Sequence, residues 1–222
     1  MVAYGFYPHR MAFLENAESR EAFLKHVRRH FLKKSAEYAM IVKAHDLTEE
    51  LFADVRRLRG EPYIEHPRRV ALIALERVGV RDAHTLTACL LHDNREFDEE
   101  QELGIWTSEF VEREFNYGVE AIVSAVSAPR TKEGRSSDEA HRIYHQRFRD
   151  LARQRVLFET KLPDRLDNLM SLSCDIIPRK KVVMKVTETR EYYLPFVLRH
   201  QILVSDYKKV IAWLEKQIAT IH

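Results

Sequence analysis

Glycine and proline are scarce, with six and seven in 222 residues, about half the usual share of the residues that punctuate a chain. That shortage disfavours a sandwich or barrel of many short strands joined by tight turns. Cysteine is scarcer still: Cys89 and Cys174 are the two present, so no disulfide framework is expected and both read as core residues. No purely apolar run is longer than Val70–Leu75, far short of the roughly 20 residues a membrane span needs. The stretch up to Arg20 lacks the basic start and long apolar segment of a secretory signal. An excess of one charge sign is also missing, since 36 Lys and Arg against 34 Asp and Glu leave a formal +2, unlike the strongly basic balance of a nucleic-acid coat protein. These absences predict a cytoplasmic, soluble protein that engages neither membrane nor nucleic acid.

What is present is helical patterning. A hydrophobic share of 45% beside 32% charged residues suits amphipathic helices. From Asn16 as N-cap, Phe23, Val27 and Phe31 recur every four residues, and Tyr38, Ile41 and Val42 begin a second stretch. A third runs through Leu51, Phe52, Val55 and Leu58 to a stop at Gly60. Pro67 opens a fourth carrying Val70, Ile73 and Ala74. Asp82 caps a fifth with Leu86, Leu90 and Leu91 buried. Thr107 or Ser108 caps a short helix, and Val119 to Val126 forms another. The polar stretch Pro129 to Ser137 reads as an exposed loop. A charge-rich helix is expected from Asp138 to Thr160, a further one from Pro163 to Leu172, and two more after Pro178. The expectation is a single all-α domain over residues 1–222, with about eight to ten helices.

The chemistry-bearing signal is His92 followed by Asp93 at the end of a strongly apolar helix. An imidazole and a carboxylate delivered together to a partly buried place are costly unless paired or bound to a metal. His66, opening the preceding helix, and Asp164, opening a later one, are residues of the right type to complete a set. The sequence separations are long, so such a site must be assembled by packing of three helices. Two imidazoles and two carboxylates with room for water suit one divalent ion such as Mn2+, Fe2+ or Mg2+ better than a structural zinc.

The segments Gly60-Glu-Pro-Tyr-Ile-Glu-His66-Pro, Leu90-Leu-His92-Asp93 with Glu96, Lys161-Leu-Pro-Asp164-Arg165-Leu-Asp-Asn168 and Glu188-Thr-Arg-Glu191-Tyr-Tyr193-Leu-Pro195 resemble, in order, four motifs of the HD-domain phosphohydrolases. They are most similar to the alarmone hydrolase branch: the hydrolase half of the bifunctional stringent-response enzymes and the small stand-alone hydrolases, which remove the 3′-pyrophosphate of (p)ppGpp. The resemblance covers about residues 44–200. It implies an all-α HD bundle and a metal-dependent phosphohydrolase acting on a guanosine-based nucleotide. It also implies His66, His92, Asp93 and Asp164 as metal ligands, Mn2+ as the first choice of ion, Glu96 as the residue that orients water or shuttles its proton, and Arg57, Asn168 and Tyr193 as substrate contacts.

One departure bears on the reaction. Where the alarmone branch has an adjacent Glu-Asp pair, this chain has Glu96 and Phe97, so a bulky ring is expected beside the scissile phosphate. Asp98 sits one residue late and replaces the lost carboxylate only if the helix has ended, because one helical residue turns a side chain by roughly 100°. This leaves two further readings: a nucleotidase for another nucleotide, and a weakened relative that binds an alarmone as a sensor. The i,i+4 pairs His26/His30 and His141/His145 lie among Arg and Lys and read as solvated basic faces. Arg130, Lys132 and Arg135 read as part of a soluble loop.

Overall fold

A computed structural model describes residues 7–8, 11–127, 144, 146 and 155–220. The loop expected at 129–137 with Arg130, Lys132 and Arg135, the pair His141/His145, and most of the helix expected over 138–160 lie outside the described residues.

Ser19 rather than Asn16 caps the first α-helix, α1 (Arg20–Val27): its Oγ accepts from the Ala22 amide. Asn16 sits inside a preceding 3-10 stretch, Ala12–Glu18, and donates to the Phe13 carbonyl instead. Ser35 caps α2 (Ala36–Leu51) in the same way. The third helix expected through Leu58 is absent. Residues 52–64 form an irregular connection with one antiparallel bridge between Arg56 and Pro62, and Gly60 takes the left-handed φ of +85° that a side chain disfavours. Helix α3 (Glu65–Ile73) carries Pro67 in its first turn, where a missing N–H costs nothing, and widens into a π-helical turn at Ala74–Val78.

Asp82 caps α4 (Ala83–Leu91), accepting from the Thr85 amide at 2.8 Å. The successive residues Thr85, Leu86, Thr87 and Ala88, turned about 100° from one another, are all buried, as expected of a central core helix. It packs on α2, on α3 and on α7. Asn94 then starts α5 (Asn94–Glu100). Thr107 caps α6 (Ser108–Glu114), and α7 (Tyr117–Val126) follows. A π-helical turn at Leu157–Lys161 runs directly into α8 (Leu162–Met170), with Pro163 in its first turn. After Pro178 come α9 (Arg179–Glu188), a π-helical turn at Thr189–Tyr193, α10 (Leu194–His200) and α11 (Val204–Thr220), one helix more than the two expected. The described residues are helical with no strand, and no helix among them is long and apolar enough to cross a membrane.

His26 and His30 are not a solvated face. His26 is buried, and Glu76 on the π turn after α3 lies 2.9 and 2.8 Å from the two Nε2 atoms. The acidic partner comes from a residue about 50 positions away, beyond the reach of local sequence reading.

Helix α8 uses every side. Leu162, Leu166 and Leu169 are buried, Asp167 faces α3 through Arg69, and Arg165 reaches Glu188 on α9. Its position is held by Tyr207 of α11, whose hydroxyl donates to the Leu162 carbonyl at 2.8 Å. Tyr207→Phe leaves that buried carbonyl without its donor, and chemical denaturation is expected to show a loss of about 1 kcal/mol with helical content unchanged.

Candidate metal and nucleotide site

Four helix ends meet at one place. His66 lies in the first turn of α3, His92 caps the C-terminus of α4, Asp93 is the N-cap of α5 and Asp164 lies in the first turn of α8. The corner between α4 and α5 is fixed by Asn94, which donates to Thr48 Oγ1 on α2 at 2.9 Å, while Thr48 itself donates to the Leu90 carbonyl. Carboxylates at the starts of α5 and α8 face the positive ends of those helices.

The four side chains converge. Asp164 Oδ1 lies 3.3 Å from His66 Nε2 and 3.5 Å from His92 Nε2. From the other carboxylate, Asp93 Oδ2 lies 3.4 Å from His66 Nε2 and Asp93 Oδ1 lies 3.2 Å from His92 Nε2. His66, His92 and Asp164 each offer an atom within 4.8 Å of the others, as ligands of a common ion would. Both imidazoles are oriented from behind. His92 Nδ1 donates to the Cys89 carbonyl at 2.8 Å, and His66 Nδ1 donates to Asp167 Oδ2 at 2.7 Å. That leaves both Nε2 atoms facing the carboxylates. His92 Nε2 is buried and has no partner of hydrogen-bond geometry, a cost that a cation at the centre of the quartet removes.

The charges are strongly interdependent. Burial pushes His92 toward its neutral form, but Asp93 and Asp164 outweigh it and raise the imidazole to about 10. His66 is raised as well, since Asp164, Asp167 and Asp93 overcome its burial and the nearby Arg57. Despite their burial, Asp93 and Asp164 are held well below the usual carboxylate range, Asp93 chiefly by His92 and Asp164 chiefly by Lys161. The quartet therefore demands positive charge, which protons supply when no metal does.

Around it lies a cleft of about 360 Å3 whose wall includes Glu96, Lys161, Arg165, Asn168, Leu58 and Ile177. Glu96 is half-buried in the first turn of α5 and contributes to holding Lys161 charged. Lys161 Nζ lies 2.8 Å from Asp164 Oδ2. Asn168, one turn after Asp164, donates to Asp164 Oδ1 at 2.6 Å. Arg57 lines the cleft, yet its guanidinium turns inward to Asp167 and Asn168. Tyr193 is placed differently from a cleft-lining residue: it is 1% exposed, lies outside the cleft wall and packs under Arg165, whose guanidinium sits 4.3 Å from the ring centre. It supports the wall from beneath.

Phe97 is likewise outside the cleft wall. Its ring lies 4.8 Å from that of Phe52, which stacks on Tyr63 at 4.4 Å, so it does not occupy the place expected beside a scissile phosphate. Helix α5 continues through Glu100, and Asp98 is turned away and buried, accepting from the Ile105 amide. Three residues of this site escaped the sequence reading. Asp167 braces His66, Lys161 holds Asp164, and Tyr63 donates to Asp93 Oδ2 at 2.7 Å. Lys161 and Asp167 flank Asp164 within one motif, and Tyr63 stands in the Gly60 segment, so each was in view without a partner to give it a role.

Two outcomes follow from this geometry. Phe97→Asp sets a charge against Phe52 rather than into the cleft, and is expected to cost about 2 kcal/mol in a denaturation experiment. In protein stripped of metal with EDTA, His92 has a folded pKa near 10 against about 6.5 when unfolded. Its contribution is full below about 6.5 and is lost as pH rises through 10, so the thermal midpoint is expected to fall between pH 7 and 10.

Comparison with known proteins agrees with this architecture. Residues 44–202 match the HD domain. A guanosine-3′,5′-bis(diphosphate) 3′-pyrophosphohydrolase of Aquifex aeolicus is 33% identical over 171 residues, covering 76% of this chain and 22% of the relative. A probable enzyme of the same description from Mycoplasma pneumoniae is 30% identical over 183 residues, covering 79% of this chain and 24% of its own length. A GTP pyrophosphokinase of Streptomyces antibioticus is 32% identical over 169 residues, covering 76% and 18%. The chain thus spans less than a quarter of the length of these relatives. With a family match over most of its length and the His66, His92-Asp93 and Asp164 segments assembled at one place, the chain belongs to the HD domain family.

Proposed function

We propose that this protein is a metal-dependent phosphohydrolase that removes the 3′-pyrophosphate of (p)ppGpp in the cytoplasm. The observation that carries the reading is the quartet at the cleft: two imidazoles with oriented Nε2 atoms and two carboxylates held ionised, beside a wall of cations and apolar side chains. Relatives named for this reaction support the substrate. His66, His92, Asp93 and Asp164 would hold one divalent ion, and the mixed nitrogen and oxygen donor set favours Mn2+, with Fe2+ or Mg2+ as alternatives. When bound, such an ion supplies Lewis acidity at a phosphoryl oxygen and eases deprotonation of water.

The chain's own residues do the rest. Glu96, at the cleft beside the quartet, accepts the proton of the attacking water, a role worth two to four decades of rate. Lys161 faces the same space and offers a fixed positive charge where negative charge accumulates on the departing pyrophosphate. Leu58, Leu172 and Ile177 provide an apolar wall suited to a nucleobase, and Asn168 holds Asp164 in place. Because Phe97 leaves the cleft open, the missing second carboxylate removes one acidic group without blocking entry. Glu96, present at the cleft, favours turnover over the reading of a sensor that binds without reacting.

The test is chromatography of ppGpp, pppGpp and a panel of nucleoside mono-, di- and triphosphates incubated with the protein and Mn2+. Pyrophosphate release from ppGpp is expected, and Glu96→Gln is expected to retain the metal while losing turnover by about a hundredfold. Turnover of a plain nucleotide with ppGpp left intact would assign another nucleotidase activity, and tight ppGpp binding without turnover would assign a sensor.

A further inference from the structure

Arg57 stands at the cleft, where a guanidinium could grip phosphate, but its hydrogen bonds run the other way. Nη1 donates to Asp167 Oδ2 at 3.1 Å and Nη2 donates to Asn168 Oδ1 at 2.6 Å, and the side chain is 15% exposed. Followed onward, these bonds close a ring. Asn168 Nδ2 donates to Asp164 Oδ1, and Asp164 Oδ1 faces His66 Nε2. His66 Nδ1 donates to Asp167 Oδ2, the same oxygen that accepts from Arg57.

Each link constrains the next. A side-chain amide can be turned either way round, and the carbonyl oxygen of Asn168 must face Arg57 for its NH2 to face Asp164. Asp167 has two cations to satisfy, Arg57 and, through its other oxygen at 2.7 Å, Arg69. The two guanidiniums and the His66 ring all converge on this one buried carboxylate. By accepting from Nδ1, Asp167 fixes the His66 ring so that Nε2 faces Asp164 and the rest of the quartet. Redirecting Arg57 to a substrate phosphate would release the Asn168 amide and strip Asp167 of one partner at once.

We propose that Arg57 and Asp167 are positioning residues of the metal site. The pair sets His66 and Asp164 in the geometry that receives the ion. This inference rests on the reading of the quartet as a metal site and is independent of the substrate assigned above.

The experiment is a calorimetric titration of Mn2+ into the metal-free 222-residue chain, well below its unfolding midpoint, for the native sequence, Arg57→Met, Arg57→Lys and Asp167→Asn. Loss of such an outer hydrogen-bond partner typically costs 10- to 100-fold in metal affinity. Arg57→Met is expected to weaken Mn2+ binding about tenfold, and Arg57→Lys to leave most of that loss in place, because an ammonium cannot span Asp167 and Asn168 as a planar fork does. Asp167→Asn is expected to lose more. Should it fail to fold, the two Arg57 variants decide. Unchanged Mn2+ affinity in Arg57→Met, with or without a raised KM for ppGpp, overturns the proposal, and so does full recovery in Arg57→Lys. Native protein that binds Mn2+ but leaves ppGpp intact defeats the assigned substrate alone, whereas native protein that binds no Mn2+ defeats the metal site and this proposal together.

Discussion

The Asp164 carboxylate is the contact on which the rest of the site depends. One oxygen faces the Nε2 atoms of both His66 and His92 and accepts from Asn168, while the other is held by Lys161. It therefore ties the first turn of α8 to the first turn of α3 and the last turn of α4. Buried charge of this kind is costly unless each partner is supplied, and the surrounding architecture is a sequence of such supplies. Asp167 and the Cys89 carbonyl stand behind the imidazoles. Tyr63 stands behind Asp93, and Arg69 behind Asp167. The result is a set of imidazoles and carboxylates whose directions are fixed by protein partners, which would lower the cost of ordering them around an ion.

Helix ends explain why the motifs are so widely spaced along the chain. A helix terminus projects side chains past the last turn, free of the neighbours that crowd a helix flank, and its dipole favours one sign of charge. Bringing several termini together gives a small volume ringed by polar groups while the helix bodies remain apolar and pack. Helix α4 shows the division of labour: its body is buried on all sides, and its C-terminus delivers His92 and then Asp93. A central helix can be this apolar only because its polar cargo sits beyond its end.

Much of this was legible from residues alone. The caps at Asp82 and Thr107, the opening of helices at Pro67 and Pro163, and the all-α class follow from local chemistry that tertiary packing left undisturbed. The apolar spacing of Leu51, Phe52, Val55 and Leu58 misled, because these residues are not a helix face. Phe52 is buried against Tyr63 and Phe97, whereas Leu58 is largely exposed at the cleft. Periodicity reports which residues are apolar, and a loop folded over a core can mimic it. The roles of Asp167, Lys161 and Glu76 were hidden for a different reason. Each acts by touching a residue of another segment or of its own motif, and a single charged residue carries no mark of the partner it will meet.

The arrangement also accounts for how the chain accommodates an aromatic ring where a carboxylate is expected. At the first turn of α5, Glu96 and Phe97 point about 100° apart, so only one of them can share the cleft with Lys161. Glu96 takes that direction, and Phe97 is left facing the aromatic pair of Phe52 and Tyr63. Tyr63 in turn donates to Asp93. Phe97 thus gives apolar support, through Phe52, to a residue that orients part of the quartet. An acid at position 97 would face that aromatic pair, so the charge at this end of the cleft is set by Glu96 and Lys161. The cations of the cleft wall and three of the four quartet residues stand on other segments, with Asp93 alone belonging to α5, so a change at position 97 leaves the groups that would grip an anionic ligand in place.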